Sequence, residues 1–548
     1  MLLDFPKDAT PKPSPALARQ ERAKALCARF QGLKRHRMLW ESLWQEIREM
    51  VRPNTSDFLA RLTAGSLRKE RVFDDFPGFA LMTLASGLHS YVTSPSSRWF
   101  ELTTRHATID RGDAAGRWLE EASNTIYDAM LVPECGFHSA LHELYMELGA
   151  FGTGVLLLEE GPGKRLVTKC LPLAECHISE NRSGVVDTLY REFELSARAM
   201  EEMFGDDTPA KCRDEKDPDR LFKIIHAVEP RQDGNGWRST YLTPEGEMIR
   251  EGRMSKFPYV VVRWAKLAGE TYGRSPAMDC LQHVRVLNES TRIMLQASQL
   301  ASAPPLIVDD DGVFAKITLR PWAVWHKTPG SRIEPLPLNP QLAVNLDLIN
   351  RLHDLIGRTF MNDLFNMPNF GARDRVTAQE IVETKDDRLR QLSPILGRLE
   401  QEFLNPIIIR FFEHYSETGA IPEPPASLRE KPLSIAYLSP AARAQRGQKA
   451  LRMQAFLQQV VPYLQIMPNV LNAIDTEGVI EDLALAAEVS RLRLRTRAER
   501  EALAKQQQDA QAQQQQMQQL QGMGGAARAL RDVAAARADM PELANLMS

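Results

Sequence analysis

Ser275-Pro276-Ala277-Met278-Asp279-Cys280-Leu281 and, further along, Asn339-Pro340-Gln341-Leu342-Ala343-Val344 open the two segments that decide the architecture. Each begins with a side chain able to cap a helix, followed by a proline at the first helical position, where no backbone N–H is needed. Apolar residues then recur at three- and four-residue steps. They are Met278, Leu281, Val284, Leu287, Met294 and Leu300 in the first segment, and Val344, Leu348, Leu352, Leu355, Ile356 and Phe360 in the second. Two helices of about 25 residues follow, each roughly 40 Å long. The stretch between them is extended in character. It holds Leu306-Ile307-Val308, a turn at Asp309-Asp310-Asp311-Gly312, and the strand-like runs Val313–Leu319 and Trp322–His326. The spacing predicts an antiparallel helix pair carrying a β-rich tip.

The chain before this pair reads as α+β. Ser14-Pro15 opens a helix with Leu26, Phe30, Leu33, Trp40, Leu43, Trp44, Ile47 and Val51 inward, stopped at Pro53-Asn54. Helices are predicted at Phe76–Tyr91, Ala114–Leu131 and Phe137–Leu148. From Gly154 the period becomes extended: Val155–Glu159 and Leu166–Cys170 flank Gly161-Pro162-Gly163 as a hairpin. Further strands fall at Val185–Phe193, Leu221–Val228 and Tyr259–Trp264, with a helix at Ala197–Phe204, which implies small antiparallel sheets. After the pair, Asn366–Arg375 is polar and rich in turn residues. Thr377-Ala378-Gln379-Glu380 then forms a capping box for a long helix reaching Tyr415, which Pro394 and Pro406 should bend or break. Beyond the linker Pro422-Glu423-Pro424-Pro425 lie Ala/Leu/Arg-rich helices. Residues 506–521 hold 11 Gln in 16 positions, so 505–548 reads as a marginal helix or a disordered tail. The overall class is α+β, mostly helical.

Composition limits the function. The 548 residues allow about three or four domains. With 43% hydrophobic and 25% charged residues, the chain can bury sizeable cores. A net charge of −3 argues against a surface that grips nucleic acid all over. No apolar run is long enough to span a membrane, and Met1-Leu2-Leu3-Asp4-Phe5-Pro6 lacks a signal peptide's pattern. The six cysteines form no CxxC pair, as expected of core thiols in a reducing compartment.

Catalytic signatures are missing. Gly161-Pro162-Gly163-Lys164 lacks a phosphate cradle, and neither a Gly-x-Ser-x-Gly elbow nor a His-Glu-x-x-His helix occurs. His138 and His142 share a helix face, and Cys170 lies near Cys176-His177, but neither group has a further ligand in sight. Asp309, Asp310 and Asp311 read as a solvated turn before they read as a Mg²⁺ site. The expectation is a chain with no catalytic residues, no metal and no cofactor. Two basic patterns remain: Arg285 and Arg292 on one helix face, Arg351 and Arg358 on one face of its partner, with Arg373 and Arg375 in the loop that follows. Taken alone, such arginines are solvated charges or inter-helix salt bridges.

Several short motifs, in order and at their distances, resemble the portal, or head-to-tail connector, of short-tailed bacteriophages. They are Trp40-x-x-x-Trp44 with Ile47 and Pro53; Leu84-Ala85-Ser86-Gly87-Leu88; and Ser94-Pro95-Ser96-Ser97-Arg98-Trp99-Phe100-Glu101-Leu102. Tyr272-Gly273-Arg274-Ser275-Pro276, Thr377-Ala378-Gln379-Glu380-Ile381 and Leu399-Glu400-Gln401-Glu402-Phe403-Leu404-Asn405-Pro406 complete the set. Asp74-Asp75-Phe76 departs from the Asp-Ser-Thr common in that family.

The resemblance implies a homo-oligomeric ring of twelve at one capsid vertex, in the virion, made in the host cytoplasm. Double-stranded DNA would be packaged and ejected through it without sequence reading. Partners would be the terminase large subunit, major capsid and scaffolding proteins, then tail adaptor and internal core proteins; no membrane is involved. Residues 1–60 would be the helical N-terminal part of the wing, 61–274 its α+β part, and 275–303 and 339–365 the stem. The clip would be 304–338, the tunnel loop 366–376, the kinked wing helix 377–415, the crown 416–504 and the Gln-rich tail 505–548. Arg285, Arg292, Arg351, Arg358, Asn369, Phe370, Arg373 and Arg375 become candidates for the DNA tunnel. Asp309, Asp310, Asp311, Trp322 and Trp325 become candidates for terminase docking. A conduit must not hold its cargo, and a strongly basic lumen would stall sliding DNA through counterion release. An internal virion or scaffold-like protein is the competing reading; it leaves the helix–insert–helix pattern unexplained.

Overall fold

The computed structural model describes residues 15–59, 72–104, 113–302, 306–308, 333–335, 342–365, 393–429, 431–438 and 497–538, with isolated positions between 452 and 484. Asp309, Asp310, Asp311, Trp322, Trp325, Asn369, Phe370, Arg373, Arg375 and the Thr377–Glu380 capping box lie outside the described residues, as do the strands expected at Val313–Leu319 and Trp322–His326. The chain divides into two units, Met1–Trp99 with Asn124–Ile421, and Phe100–Ser123 with Pro422–Ser548.

In the first unit, α1 (Pro15–Met50) starts at the predicted serine-proline step. Its Leu26 and Phe30 pack on Tyr190, Ile225, Ala227 and Leu242, one face of a five-stranded antiparallel sheet. Next come α2 (Phe76–Val92) and α3 (Phe137–Phe151), which pack together. Small residues permit the approach: a Cβ on Gly149 would stand 2.4 Å from Leu81 Cδ1. The hairpin β1 (Thr153–Glu160) and β2 (Leu166–Leu171) then forms around Gly163, whose φ of 72° suits glycine. Val155, Leu156, Leu157 and Leu158 are all buried, because β1 is the middle strand of three and is covered on both faces.

The five-stranded sheet takes the order β3 (Cys176–Glu180), β4 (Val186–Ser196), β5 (Leu221–Pro230), β6 (Trp237–Leu242) and β7 (Met248–Met254). Ile225 points toward α1. Ile224, one residue earlier, points to the opposite face, where α4 (Ala197–Phe204) buries Met200 and Phe204. β6 and β7 lie outside the runs expected from sequence. They carry neither a continuous apolar run nor a clean polar–apolar alternation, and they form one flank of the sheet. β8 (Tyr259–Arg263) returns to pair with β1.

The two decisive segments form α5 (Pro276–Ser302) and α6 (Leu342–Thr359), which pack against each other. Leu306–Val308 pairs antiparallel with Ile333–Pro335 between them, so the tip begins as a strand pair. The expected length of α6 needs correction. It ends at Thr359, Met361 adopts φ 56°, and a separate turn, Asn362–Phe365, follows. The break places Phe365 against Gly87 of α2, where a Cβ would stand 2.2 Å from the ring.

The helix through Pro406 is not broken: its hydrogen bonding runs on through a π turn. Ser393–Leu399 passes through a π turn, Glu400–Leu404, into α7 (Asn405–Glu417). Proline lacks an N–H and its ring crowds the carbonyl four residues back. A widened turn, in which Asn405 N–H reaches Glu400 O, removes both conflicts. The apolar residues Leu399, Phe403, Ile407 and Phe411 recur every four positions and are all buried. That spacing drifts around an α-helix but holds line through a π turn.

In the second unit, Phe100–Thr104 pairs antiparallel with Leu433–Tyr437, and Trp118 Nε1 donates to Pro422 O at 2.8 Å. The glutamine-rich tail is helical over Arg497–Ala538. Among the described residues, no helix is long and apolar enough to cross a membrane.

Candidate functional site: the root of the helix pair

The Tyr272–Pro276 motif is where α5 leaves the body of the first unit, and backbone geometry explains its residue types. Gly152 ends α3 with φ 74°, its N–H bound to Leu148 O at 3.0 Å. Gly273 lies against it: a Cβ on Gly273 would come within 2.2 Å of Gly152 O, and one on Gly152 within 2.4 Å of Gly273 O. Gly273 N–H donates to Thr153 Oγ1 at 2.8 Å. Ser275 Oγ accepts from Met278 N–H at 3.1 Å and donates to Ala150 O at 2.7 Å, so the predicted cap also stitches α5 to the end of α3. Tyr272 packs edge-on to Trp44, whose neighbour Trp40 completes the aromatic cluster.

Asp74 fastens both helices of the pair. Its Oδ2 accepts from Thr291 Oγ1 of α5 at 3.3 Å and lies 2.9 Å from His353 Nε2 of α6; its Oδ1 accepts from Phe76 N–H at 2.9 Å. Phe76 stacks on the His353 ring with centroids 4.4 Å apart, and Asn288 Oδ1 takes the Phe73 N–H. The aspartate that Asp74-Asp75-Phe76 shares with the family's Asp-Ser-Thr thus stands where the hairpin joins the body. Behind it, Arg263 at the end of β8 is 2% exposed and meets Glu402 of the π turn and Glu180 of β3. Burial alone would lower the guanidinium's pKa, but the two carboxylates outweigh it and raise it.

The predicted arginines do not act as one set. Arg285 forms a bidentate pair with Glu46 of α1, and Arg292 pairs with Glu289 at 2.5 Å on its own helix. Arg351 and Arg358 are exposed on α6 and make no ion pair with a described residue. The salt bridges considered from sequence between the two helices therefore do not form through these four. His138 and His142 gather with His89, His138 Nδ1 being 3.1 Å from His89 Nε2. Burial, then the neighbouring ring, pushes His138 down to about 4. Among the described residues no group of three His, Cys, Asp or Glu is arranged to hold a metal ion. Sequence reading missed Arg263, Glu402, Glu180 and His353. Asp74 was visible only as the residue that Asp74-Asp75-Phe76 shares with a family motif.

The profile described as "Bacteriophage head to tail connecting protein" matches residues 23–491. The chain belongs to that family. It is a structural component of the bacteriophage virion at the head-to-tail junction. The "Probable portal protein" of Bordetella phage BPP-1 is 30% identical over 487 residues, covering 84% of this chain and 86% of that protein. The "Portal protein" of Salmonella phage epsilon15 is 27% identical over 481 residues, with the same coverage of 84% and 86%. That of Enterobacteria phage T3 is 25% identical over 354 residues, covering 62% and 65%. Among solved structures, a chain from the neck of an empty gene transfer agent particle aligns with TM-score 0.37 and 12% identity, covering 75% of this chain and 94% of its own. In this head-to-tail connecting protein, the root described above holds the helix pair to the rest of the first unit.

Proposed function

We propose that twelve copies of this chain close into a ring at one capsid vertex, around a channel through which double-stranded DNA enters during packaging and leaves during ejection. The observation that carries the reading is the family match over residues 23–491, shared with relatives called portal proteins. The helix pair supports it. Its tip begins as two strands of three residues each, too short to stand alone, and no other described residue pairs with their outer edges, which suits strands from neighbouring copies. The tip is the docking face for the terminase large subunit through Asp309, Asp310, Asp311, Trp322 and Trp325. Asn369, Phe370, Arg373 and Arg375 touch the DNA backbone without reading bases. The chain itself is not an enzyme in this reading; ATP hydrolysis belongs to the terminase. A net charge of −3, repeated around the ring, suits passage over capture.

Electron microscopy of the purified protein tests the ring: annular particles with a bore wide enough for a duplex are expected, and solid or monomeric particles under all assembly conditions would overturn it. Arg373→Ala with Arg375→Ala should leave rings intact and lower the yield of packaged genome. An unchanged yield removes that role.

A further inference from the structure

The charges on the helix pair fall in two stripes, and their order is informative. On α6, Asp347, Arg351, Asp354 and Arg358 are all exposed, on the side opposite Ile349, Leu352, Ile356 and Phe360, which are buried. Acid precedes base by four residues twice over, the spacing at which a helix forms its own ion pairs. Neither pair forms, and none of the four meets another described charge. On α5 the outward stripe is Arg285, Glu289 and Arg292, flanked by Val286 and Ile293, each 48% exposed.

Asp74 fixes the relative heights of the two stripes. One of its oxygens reaches Thr291 at 3.3 Å and His353 at 2.9 Å, so positions 291 and 353 stand level. Counting along the antiparallel helices from there, Arg285 is level with Arg358, Glu289 with Asp354 and Arg292 with Arg351, each to within about 2 Å. A neighbouring copy placed side by side with no axial offset would therefore set base on base and acid on acid. Moving it by one helical turn inverts every contact.

We propose that α5 of one copy docks along α6 of the next, offset by one turn, so that Arg285 meets Asp354, Glu289 meets Arg351 and Arg292 meets Asp347. The occupant is a second copy of this chain because the α5 and α6 stripes carried by one molecule complement each other at this offset. Such a contact is heterologous and continues from copy to copy until it closes. The inference rests on the ring reading and deepens it by assigning these residues to the joint between copies and not to the bore. The geometry is undemanding. With two helices per copy, each 8–10 Å across, a one-turn step of about 5.4 Å corresponds to helices leaning by roughly 15° from the ring axis. The existing partners of α5 do not preclude it: Glu289–Arg292 and the Arg285–Glu46 pair to α1 both lie open to solvent, are of small worth and leave each guanidinium able to meet a second carboxylate.

The opposite one-turn offset would join Glu289 to Arg358, so charge exchange separates the two. The full-length protein is followed by native mass spectrometry and sedimentation over a concentration series, with circular dichroism confirming that each variant is folded. Glu289→Arg alone and Arg351→Glu alone should each raise the concentration needed for assembly roughly tenfold or more. Glu289→Arg combined with Arg351→Glu should restore it, whereas Glu289→Arg combined with Arg358→Glu should not. Single variants that assemble like the parent, a double variant no better than the singles, or restoration by Arg358→Glu would each overturn the proposal. Normal assembly with impaired packaging would return these arginines to the bore and also overturn it. A parent chain that never forms a ring removes the ring reading itself, a result distinct from rings that ignore these charges.

Discussion

Arg263 and Glu402, 139 residues apart, meet face to face: Nη2 donates to Oε1 at 2.7 Å and Nε to Oε2 at 3.1 Å. Arg263 also gives its backbone N–H to Glu402 Oε2 and Nη2 to Gly184 O, so one buried guanidinium ties β8, the β3–β4 turn and the π turn together. Removing the carboxylate leaves a buried positive charge short of its main partner. Glu402→Ala should destabilise the first unit by about 3–5 kcal/mol, read as a lower urea midpoint. Glu402→Gln, which keeps the shape and one acceptor, should cost less.

The Gly152–Gly273 approach makes a second claim. Gly273→Ala would drive a methyl into the Gly152 carbonyl, which is backbone and cannot rotate away. We expect a loss of about 1–3 kcal/mol or more in denaturant unfolding, with the start of α5 displaced. Gly163→Ala is the comparison. Unlike Gly273 it has positive φ, but its Cβ would meet nothing within 4 Å, so only the backbone strain of about 1 kcal/mol remains.

Acid should weaken the fold through buried imidazoles. His226 lies between Tyr259 Oη at 2.6 Å and Ser239 Oγ at 2.8 Å and stacks on Tyr241; burial, then Arg191, pushes it down to about 3. The folded chain holds it neutral, while the unfolded chain takes up a proton near 6.5. Below that pH the unfolded state binds more protons, so stability is present above about 6.5 and is lost progressively toward about 3. The urea midpoint should fall between pH 7 and pH 5 more steeply in the parent than in His226→Gln, which starts lower but lacks this proton. Equal slopes would show that His226 carries no such linkage.

Asp74→Ala should loosen the root without unfolding the sheet. It removes acceptors from Phe76 N–H, Thr291 and His353 together, a cost of about 1–3 kcal/mol. Hydrogen exchange should quicken at the start of α2 and around residues 352–356, and stay as in the parent over β5 to β7.

What the sequence revealed was local. The helix expected at Ala197–Phe204 forms over those residues as α4, where the Ser196 Oγ takes the Ala199 N–H at 3.3 Å, three positions away. Ser275-Pro276 likewise announced α5. Strands β6 and β7 escaped because Trp237-Arg238-Ser239-Thr240-Tyr241-Leu242 and Met248-Ile249-Arg250-Glu251-Gly252-Arg253-Met254 carry too few apolar residues to stand out, their exposed face being polar. The pairing of Phe100–Thr104 with Leu433–Tyr437 has no local signature at all. At the root, capping serine and glycines could be read, whereas Arg263–Glu402 and Asp74–His353 exist only after the chain has folded. Met361 was unreadable for another reason. Methionine favours helix, and only the packing of Phe365 on Gly87 accounts for the turn that follows it.

The π turn at Glu400–Leu404 also sets the rotational phase of everything after it. That turn absorbs one residue more than an α-helical turn would, so the side chains before and after it keep a common face. Ile407 and Phe411 lie eight and twelve positions after Leu399, which in an uninterrupted α-helix would turn them about 80° and 120° away from it, yet all three are buried. Excising a single position between 400 and 404 would let the helix wind regularly with Ile407 and Phe411 still inward, and the cost would fall on Pro406, driven against the carbonyl it now avoids. Elsewhere in the helix, losing one residue would turn every later side chain by about 100°, so a deletion joined to Pro406→Ala should be tolerated here sooner than at any other point.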